Sequence, residues 1–242
     1  HTPPRTGRPA PACGGWGATM CGAESKMDPK QSLKRTARLL ALQLFFSLLG
    51  TAMLLTHAAP QRRALGCDSA CAGLLMSARS ACALLAAMLM GYLSDRVDAS
   101  RLLLVSSAGM AASALLGYAF ADAFEGLWLA IPPLLVANSF TVAKSTVARQ
   151  ARRLGVGGEA VSAFATLGMG LGLAFTVGPA VGAKLLPGYA AGQLLSAGMQ
   201  LVAAAVVMAL PREATAPDAA AAEPGPAEAP GSRGARWGAD AL

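Results

Sequence analysis

Six long apolar stretches, separated by short polar connectors, constrain the fold of this 242-residue chain more than any other feature. They lie at about residues 39–58, 70–93, 102–120, 127–148, 161–186 and 190–210. Each is close to the roughly 20 residues that an α-helix needs to cross the roughly 30 Å apolar layer of a bilayer. Charged residues make up only 14% of the chain and collect in the ends and connectors. The sequence therefore predicts an all-α, polytopic membrane helix bundle of six transmembrane helices within residues 29–210.

Lysine and arginine are shared unequally between the two sides of this predicted bundle, and the cytosolic side of a membrane protein carries the excess. The side that holds both chain ends has ten of these residues: Lys30, Lys34, Arg35, Arg38, Arg96, Arg101, Arg149, Arg152, Arg153 and Arg212. The opposite side has three: Arg62, Arg63 and Lys184. We therefore expect both termini to be cytosolic.

The two terminal segments differ in composition from the apolar region. Residues 1–28 are rich in Pro and Gly, and residues 211–242 are rich in Pro, Ala and Glu without a periodic apolar face. Such segments bury too little apolar surface to fold alone. We predict that both are disordered, the second as a cytosolic tail or as an interdomain linker of a longer protein.

Several other functional classes are disfavoured by what the chain lacks. The net charge is +7, but no basic stripe is interleaved with aromatic residues, so nucleic-acid binding is not expected. The spacing of the five cysteines matches no zinc or redox motif. Cys67 and Cys71, four residues apart, are interpreted as small residues on one helical face near the start of the second span. No catalytic pair or metal ligand set lies in the spans, so we expect neither an enzyme nor a cofactor.

Arg79 lies about nine residues into the second span, far from either end. A central arginine costs about 2.5–3.5 kcal/mol on insertion scales, whereas each leucine returns about 0.3–0.6 kcal/mol. No acidic residue lies within any predicted span. Two interpretations remain open: the side chain reaches the interface or backbone carbonyls, or it faces an aqueous path and attracts an anionic group.

Polar residues recur on single faces of several spans. Gln43, Ser47 and Thr51 do so in the first span, and Asn138 is followed by polar residues on one face of the fourth. Such stripes bond neighbouring helices or line a wet cavity. We take Arg79, Gln43, Thr51 and Asn138 as the candidates that line a substrate pathway, with helix-to-helix hydrogen bonding as the alternative.

The fifth span is rich in glycine. Gly168 with Gly172, and Gly178 with Gly182, are spaced four apart, which lets helix backbones approach closely in lipid. Pro179 frees a backbone carbonyl and can bend the helix. We expect a tightly packed or moving helix here.

Two motifs resemble those of a known family. Gly91-x-x-x-Asp95-Arg96, with Arg101 following, resembles the loop between helices two and three of the major facilitator superfamily. Gly178-Pro179-x-x-Gly182 is similar to the Gly/Pro-rich antiporter motif in helix five of that family. The resemblance is closest to drug:proton antiporters and to organic-cation-transporter-like solute carriers such as family 22 member 18.

The sequence also departs from the family pattern. Asp98 stands where the family has a glycine, Ala99-Ser100 replaces a basic pair, and Ala183 replaces the second glycine of the helix-five motif. The fourth span has Asn138 in the region of the family's membrane arginine. These departures leave proton coupling and antiport direction open.

The resemblance implies one half of a major-facilitator fold, the N-terminal six helices, and transport of a small solute by alternating access between two six-helix halves. It further implies that Gly91, Asp95, Arg96 and Arg101 form a conformational latch, and that Gly178, Pro179 and Gly182 pack or bend helix five. The expected partners are the bilayer, a small solute with or without protons, and a second six-helix half of a longer carrier. A non-transporting membrane protein with a packing or regulatory role is the alternative.

Overall fold

The computed structural model describes residues 28–211 and residue 215. Between residues 28 and 211 it contains seven α-helices and one short 3-10 helix: α1 (Pro29–Ala64), α2 (Ser69–Ser94), α3 (Ala99–Ala119), α4 (Phe124–Leu129), the 3-10 helix (Pro132–Val136), α5 (Ser139–Leu154), α6 (Gly157–Leu185) and α7 (Tyr189–Met208). Six segments are long and apolar enough to span a membrane, α4 to α5 counting as one. The predicted six-span helical bundle is confirmed. The predicted disordered segments lie outside the described residues, apart from Asp28, Pro211 and Thr215.

The fourth span is broken rather than continuous, which corrects the expectation of one helix over 127–148. Helix α4 ends at Leu129, and Pro132 and Pro133 begin the 3-10 helix. Proline lacks an N–H donor and clashes with the preceding turn, so two prolines in succession disfavour the continuation of α4. Asn138 then starts α5 as its N-cap, and its side-chain oxygen accepts a hydrogen bond from the backbone N–H of Thr141 at 3.1 Å.

Helix α1 is longer than the apolar stretch that predicted it. It begins with Asp28, whose carboxylate accepts from the backbone N–H of Lys30 at 3.0 Å, and with Pro29 in the first turn. It then continues through Pro60 to Ala64. The extension makes Arg62 a helical residue that continues the face of the first span.

The connectors collect at two ends of the bundle. We call the end that contains residues 95–98 and 155–156 the hinge end, and the end that contains residues 65–68, 120–123 and 186–188 the disulfide end. At the hinge end, the Lys30 ammonium lies 3.3 Å from a Glu159 carboxylate oxygen. At the disulfide end, Gln61 donates to the Ala121 carbonyl at 2.6 Å. The first contact joins α1 to the first turn of α6, and the second joins α1 to the α3–α4 connector.

A disulfide joins Cys67 and Cys71, which the sequence interpretation had missed. Cys67 does not share a helical face with Cys71, because it precedes α2 and its N-cap, Asp68. Gly66, with φ +74°, turns the chain back, and the Cys67 N–H donates to the Arg62 carbonyl at 3.0 Å. The resulting Cα–Cα distance of 5.4 Å is ordinary for a disulfide.

The packing of the spans follows a repeated pattern. The first span, α1, packs mainly on α6 and α7, whereas the fourth span packs on α2 and α3, and α3 packs on α7. The first span runs from the hinge end to the disulfide end and the fourth runs the opposite way. Spans one to three form one unit and spans four to six form a second. The two units therefore make corresponding contacts in inverted directions, an arrangement known among transporters.

Close contact between α1 and α6 depends on glycine at one stripe of α6. A methyl group at Gly178 would lie 2.5 Å from the Ala52 Cβ, and one at Gly182 would clash with the Met53 carbonyl oxygen. By contrast, Gly168 and Gly172 have open space where a methyl group would be. The expected close approach therefore holds for the Gly178–Gly182 pair and not for the Gly168–Gly172 pair within the described residues.

The largest apolar cluster lies toward the hinge end. It joins α1, α3, α5 and α6 with the ends of α2 and α7, and includes Leu33, Leu40, Leu103, Val142 and Leu167. Polar contacts also cross the bundle: the Ser47 hydroxyl donates to Gln200 Oε1 at 3.0 Å, and Gln200 Nε2 donates to the Ser47 carbonyl at 2.8 Å. The hinge half is thus tightly packed, and the open space lies elsewhere.

Candidate functional site

A cavity of about 130 Å³ opens between the helices in the half of the bundle nearer the disulfide end. Five spans line it, and α6 does not: α1 from Thr51 to Arg62, α2 around Arg79, α3 around Ser113, the broken fourth span, and the first turns of α7. Arg79 lies ten residues after Ser69, the first residue of α2, or about 15 Å along that helix. The cavity therefore reaches about the middle of the roughly 30 Å apolar layer.

Two of the four predicted pathway candidates, Arg79 and Thr51, come together in this cavity. They approach it from α2 and α1, respectively, and both side chains are half-buried. For Arg79, of the two open interpretations, the geometry fits the cavity-facing one.

The other two candidates do not line this cavity. Gln43 is fully buried on α1, and neither its Oε1 nor its Nε2 has a hydrogen-bond partner among the described residues. Asn138 caps α5, so its side-chain oxygen is already bonded to the Thr141 N–H. Helix α5 begins after Asn138, so this residue caps the helix and is not part of its polar face.

The structure adds cavity residues that we had not singled out as pathway candidates. Tyr189, Gln193 and Ser196 enter from α7, and Gln193 Nε2 donates to the Tyr189 hydroxyl at 2.6 Å. Gln193 and Ser196 belong to a polar stripe with Gln200, which instead bonds Ser47. The stripe was visible in the sequence, but its division between a cavity and a helix contact depends on the tertiary packing.

Arg62 also lines the cavity and was counted only as a connector charge. Thr51, Leu55, Ala58 and Arg62 are spaced four, three and four residues apart, which is one face of a helix. This helical spacing could be read from the sequence, but Arg62 belongs to the same face only if α1 continues beyond residue 58. The Arg62 Nε donates to the Ala58 carbonyl at 3.2 Å, which leaves its terminal amino groups for other acceptors.

The hinge residues make fewer contacts within the bundle than we expected. Asp95 follows α2 as its C-cap, where its backbone N–H donates to the Leu93 carbonyl, and its carboxylate forms no hydrogen bond or ion pair with any residue the structure describes. The Arg96 guanidinium lies over the Tyr92 ring, 4.4 Å from its centre, and does not bridge to another helix end. Arg101 pairs with Asp98 at 3.6 Å, and both are exposed.

Gly91, the first residue of the predicted latch, is helical. It lies inside α2, which continues to Ser94, and a methyl group on it would meet only Thr141, at 4.0 Å. Its carbonyl accepts from the Ser94 hydroxyl at 2.8 Å.

The contact that fixes the hinge comes from α5 instead. Arg149 is only 2% exposed, and its guanidinium donates a short hydrogen bond to the Ser94 carbonyl at the end of α2. A cation at a helix C-terminus is favoured by the helix dipole and by the unpaired carbonyls there. Sequence reasoning had counted Arg149 as a flanking charge, because its burial depends on how α5 packs on α2.

The helix-five motif lies away from the cavity. Gly178 and Gly182 contact α1, and α6 continues through Pro179 without ending. His57 Nε2 of α1 lies 3.3 Å from the Gly182 carbonyl oxygen, which adds a polar contact at the same place. Among the residues that the structure describes, no three His, Cys, Asp or Glu side chains are grouped so that they could hold a metal ion.

Comparison with known families identifies the chain. The profile of the Major Facilitator Superfamily matches residues 40–238. Because this match covers more than half of the 242 residues, the chain belongs to the major facilitator superfamily. A search of curated proteins and a search of solved structures each found no match.

Membership sets the general class of this protein. The family consists of multi-pass integral membrane proteins that carry small solutes and are not, in general, enzymes. The partners that follow from it are a lipid bilayer and a small solute, and the six apolar segments agree with it. The predicted family is confirmed at this level.

Proposed function

We propose that this chain, as a member of the major facilitator superfamily, moves a small solute across a membrane by alternating access, with the Arg79 cavity as its part of the pathway. The observation that supports this most is the position of the cavity. It is a space near mid-membrane depth, lined by polar as well as apolar side chains and reached by five of the six spans. Transporters of this family bind their substrate near the midplane.

A second six-helix half forms the opposite wall of the pathway in this proposal. Its support is the exposure of α2 and α6. Only 17% of the most apolar 18-residue window of α2 is buried, and 22% of that of α6, against 50% for α1. The open sides of Gly168 and Gly172 lie on α6 as well. Small residues on an apolar helix face permit close helix contact in lipid.

The hinge is the conformational latch in this proposal. The Asp95 carboxylate, which has no partner among the described residues, bonds to the second half in one conformer and loses that contact in the other. Arg149 holds the end of α2, so the position of Asp95 is fixed before the partner arrives. The partial Gly178-Pro179-x-x-Gly182 motif supports the drug:proton antiporter branch, with proton coupling as the finer prediction.

The orientation rests on two independent features. The hinge end carries the excess of lysine and arginine, which is typical of the cytosolic side. The opposite end carries the Cys67–Cys71 disulfide, and disulfides persist in oxidising compartments. Both features support cytosolic termini.

Solute uptake into proteoliposomes tests this function. The protein is reconstituted at a high protein-to-lipid ratio, so that copies can pair, and uptake is measured for a permanent anion, benzenesulfonate, a permanent cation, phenyltrimethylammonium, and neutral mannitol. We expect at least one probe to enter above the protein-free level and Asp95→Asn to abolish that entry. Glu125→Gln, which removes an exposed carboxylate at the disulfide end, is the matched control. Entry of none of the probes would favour the non-transporting alternative.

A further inference from the structure

We propose that the cavity binds the charged group of a small organic monoanion, at Arg79 and Arg62. This inference rests on the proposed function and names the substrate class of the same site. It follows from the charge of the lining, the unused hydrogen-bond donors of its polar side chains, the size of the cavity and the apolar character of the remaining wall.

The lining has positive charge and no negative charge. Arg62 and Arg79 are the two ionised side chains among the described residues that line the cavity, and no carboxylate is among them. Asp122, at the same end of the bundle, lines a separate cavity beside Gln61. Charges in a site of low dielectric interact far more strongly than in water, so two guanidinium groups repel cations and attract anions.

The Arg79 guanidinium has unused hydrogen-bond donors. It forms no hydrogen bond and no ion pair with any of the residues that the structure describes. A guanidinium carries five N–H donors in a planar fork that matches carboxylate, sulfonate and phosphate oxygens. An unpaired arginine at mid-membrane depth is costly, and such residues are a mark of substrate pathways. An anion in the cavity would supply the missing partner.

Neutral donors complete the polar part of the site. The Tyr189 hydroxyl accepts from Gln193, so its own proton remains free to donate. Thr51 adds a second hydroxyl, from α1. Hydroxyl donors and arginines together favour an oxygen-rich anionic group over an ammonium, which has no lone pair to accept these bonds.

The rest of the wall is apolar and the space is small. Leucine and methionine side chains of α1, α2, α3 and the fourth span make up this part: Leu54, Leu55, Leu75, Met76, Met110 and Leu127. An apolar cavity of roughly 150 Å³ can hold a benzene molecule, so a cavity of about 130 Å³ is of the size that one small organic group requires. A small monoanion with an apolar body fits both parts of the lining.

This preference differs from that of the organic-cation branch that the sequence resembles. A cation substrate would need a carboxylate or an aromatic face in the cavity, and among the described residues the lining contributes only Tyr189 as an aromatic. The same chemistry would also fit the head group of an anionic lipid. Binding must therefore be measured in membranes with and without such lipids.

The experiment is direct binding by the full chain in nanodiscs of phosphatidylcholine, using radiolabelled benzenesulfonate and phenyltrimethylammonium. These probes share an aromatic body and similar size and differ in the sign of a permanent charge. We expect saturable binding of the anion, at least tenfold tighter than that of the cation. A second set of nanodiscs contains phosphatidylglycerol. Unchanged anion affinity there indicates a soluble substrate, whereas competition that depends on Arg79 assigns the site to an anionic lipid head group.

Three arginine variants locate the binding. Arg79→Gln should weaken benzenesulfonate binding about tenfold to a hundredfold, because a charged hydrogen-bond partner is lost. Arg62→Gln should weaken it less, since its Nε already bonds to Ala58. Arg63→Gln is the matched control: Arg63 is the exposed neighbour of Arg62, does not line the cavity and should change affinity less than twofold.

The outcomes separate this inference from the proposed function. Equal or tighter binding of the cation, or equal effects of Arg79→Gln and Arg63→Gln, would overturn the anion site even if Asp95-dependent uptake were observed. Anion binding that depends on Arg79 without any uptake would leave the site in place and remove the transport proposal. Far-ultraviolet circular dichroism melts of each variant check the fold, and Arg79→Gln should insert at least as well as the original because a central charge is removed.

Discussion

The contact between α1 and α6 can be tested by adding a single methyl group to α6. Gly178→Ala would place a Cβ 2.5 Å from the Ala52 Cβ and 3.2 Å from the Ala52 carbonyl carbon. Carbon atoms pack best at roughly 3.5–4.0 Å, so the two helices would have to separate by about 1 Å. The neighbouring atoms belong to the backbone or to its first side-chain carbon and cannot rotate away.

The expected magnitude combines two opposing effects. Overpacking of this kind costs about 1–3 kcal/mol. Replacing glycine by alanine inside a helix returns about 0.8–1 kcal/mol. Gly172→Ala on the same helix gains the second effect without the first, because no atom lies within 4 Å of its added methyl group. The difference between the two variants should therefore be about 1–3 kcal/mol, or roughly a five- to 150-fold change in the unfolding equilibrium constant.

The assay is reversible unfolding of the purified protein in mixed micelles, with increasing dodecyl sulfate and helix content followed by circular dichroism. Gly172→Ala should unfold at a higher dodecyl sulfate fraction than the unaltered chain, and Gly178→Ala at the same fraction as the unaltered chain or a lower one, so that the two variants always differ. Gly170→Ala should follow Gly178→Ala, because its methyl group would lie 2.6 Å from the Ala41 carbonyl oxygen. If Gly178→Ala were as stable as Gly172→Ala, the α1–α6 interface described above would be wrong.

Three further predictions concern other contacts. A double-mutant cycle of Ser47→Ala and Gln200→Leu should give a coupling of about 0.6–1.7 kcal/mol in the same unfolding assay, and additive effects would contradict the hydrogen bond from the Ser47 hydroxyl to Gln200. Asn138→Ala should destabilise the protein by about 0.5–2 kcal/mol, whereas Asn138→Asp should retain the cap and most of the stability; equal losses would exclude the capping role. Maleimide should label Cys67 and Cys71 only after reduction in a chain whose remaining cysteines are replaced by serine, and labelling without reductant would contradict the disulfide.

The number and type of the spans could be predicted from the sequence because the bilayer imposes one requirement on every segment. Inside the bilayer, backbone N–H and C=O groups must be hydrogen-bonded within the protein, and a long apolar segment meets this requirement by forming a helix. The break in the fourth span was harder to place, since Pro132 and Pro133 also suit the first turn of a helix. The better signal was Asn138, a residue that favours the N-cap position, six residues later.

The candidate site was predicted only in part, because it depends on contacts between distant segments. Arg79 and Thr51 could be chosen from their chemistry and depth within single helices. Arg62 required the end of α1, and the role of Tyr189 required the position of α7 beside it. Burial of Arg149 was not predictable either, since a basic residue near a span end is ordinarily a solvated flanking charge.

The two ends of this bundle differ in a way that bears on how it would move. The hinge end contains the largest apolar cluster, the Arg149–Ser94 hydrogen bond and the Lys30–Glu159 ion pair, all within one six-span unit. Rearranging that end would break these contacts together, so under the proposed mechanism the unit would move as one body. The space that must open and close would then lie between this unit and its partner. We therefore expect Asp95, whose carboxylate bonds to none of the described residues, to form and break a contact with the partner. Arg149, which bonds the end of α2, would keep its contact.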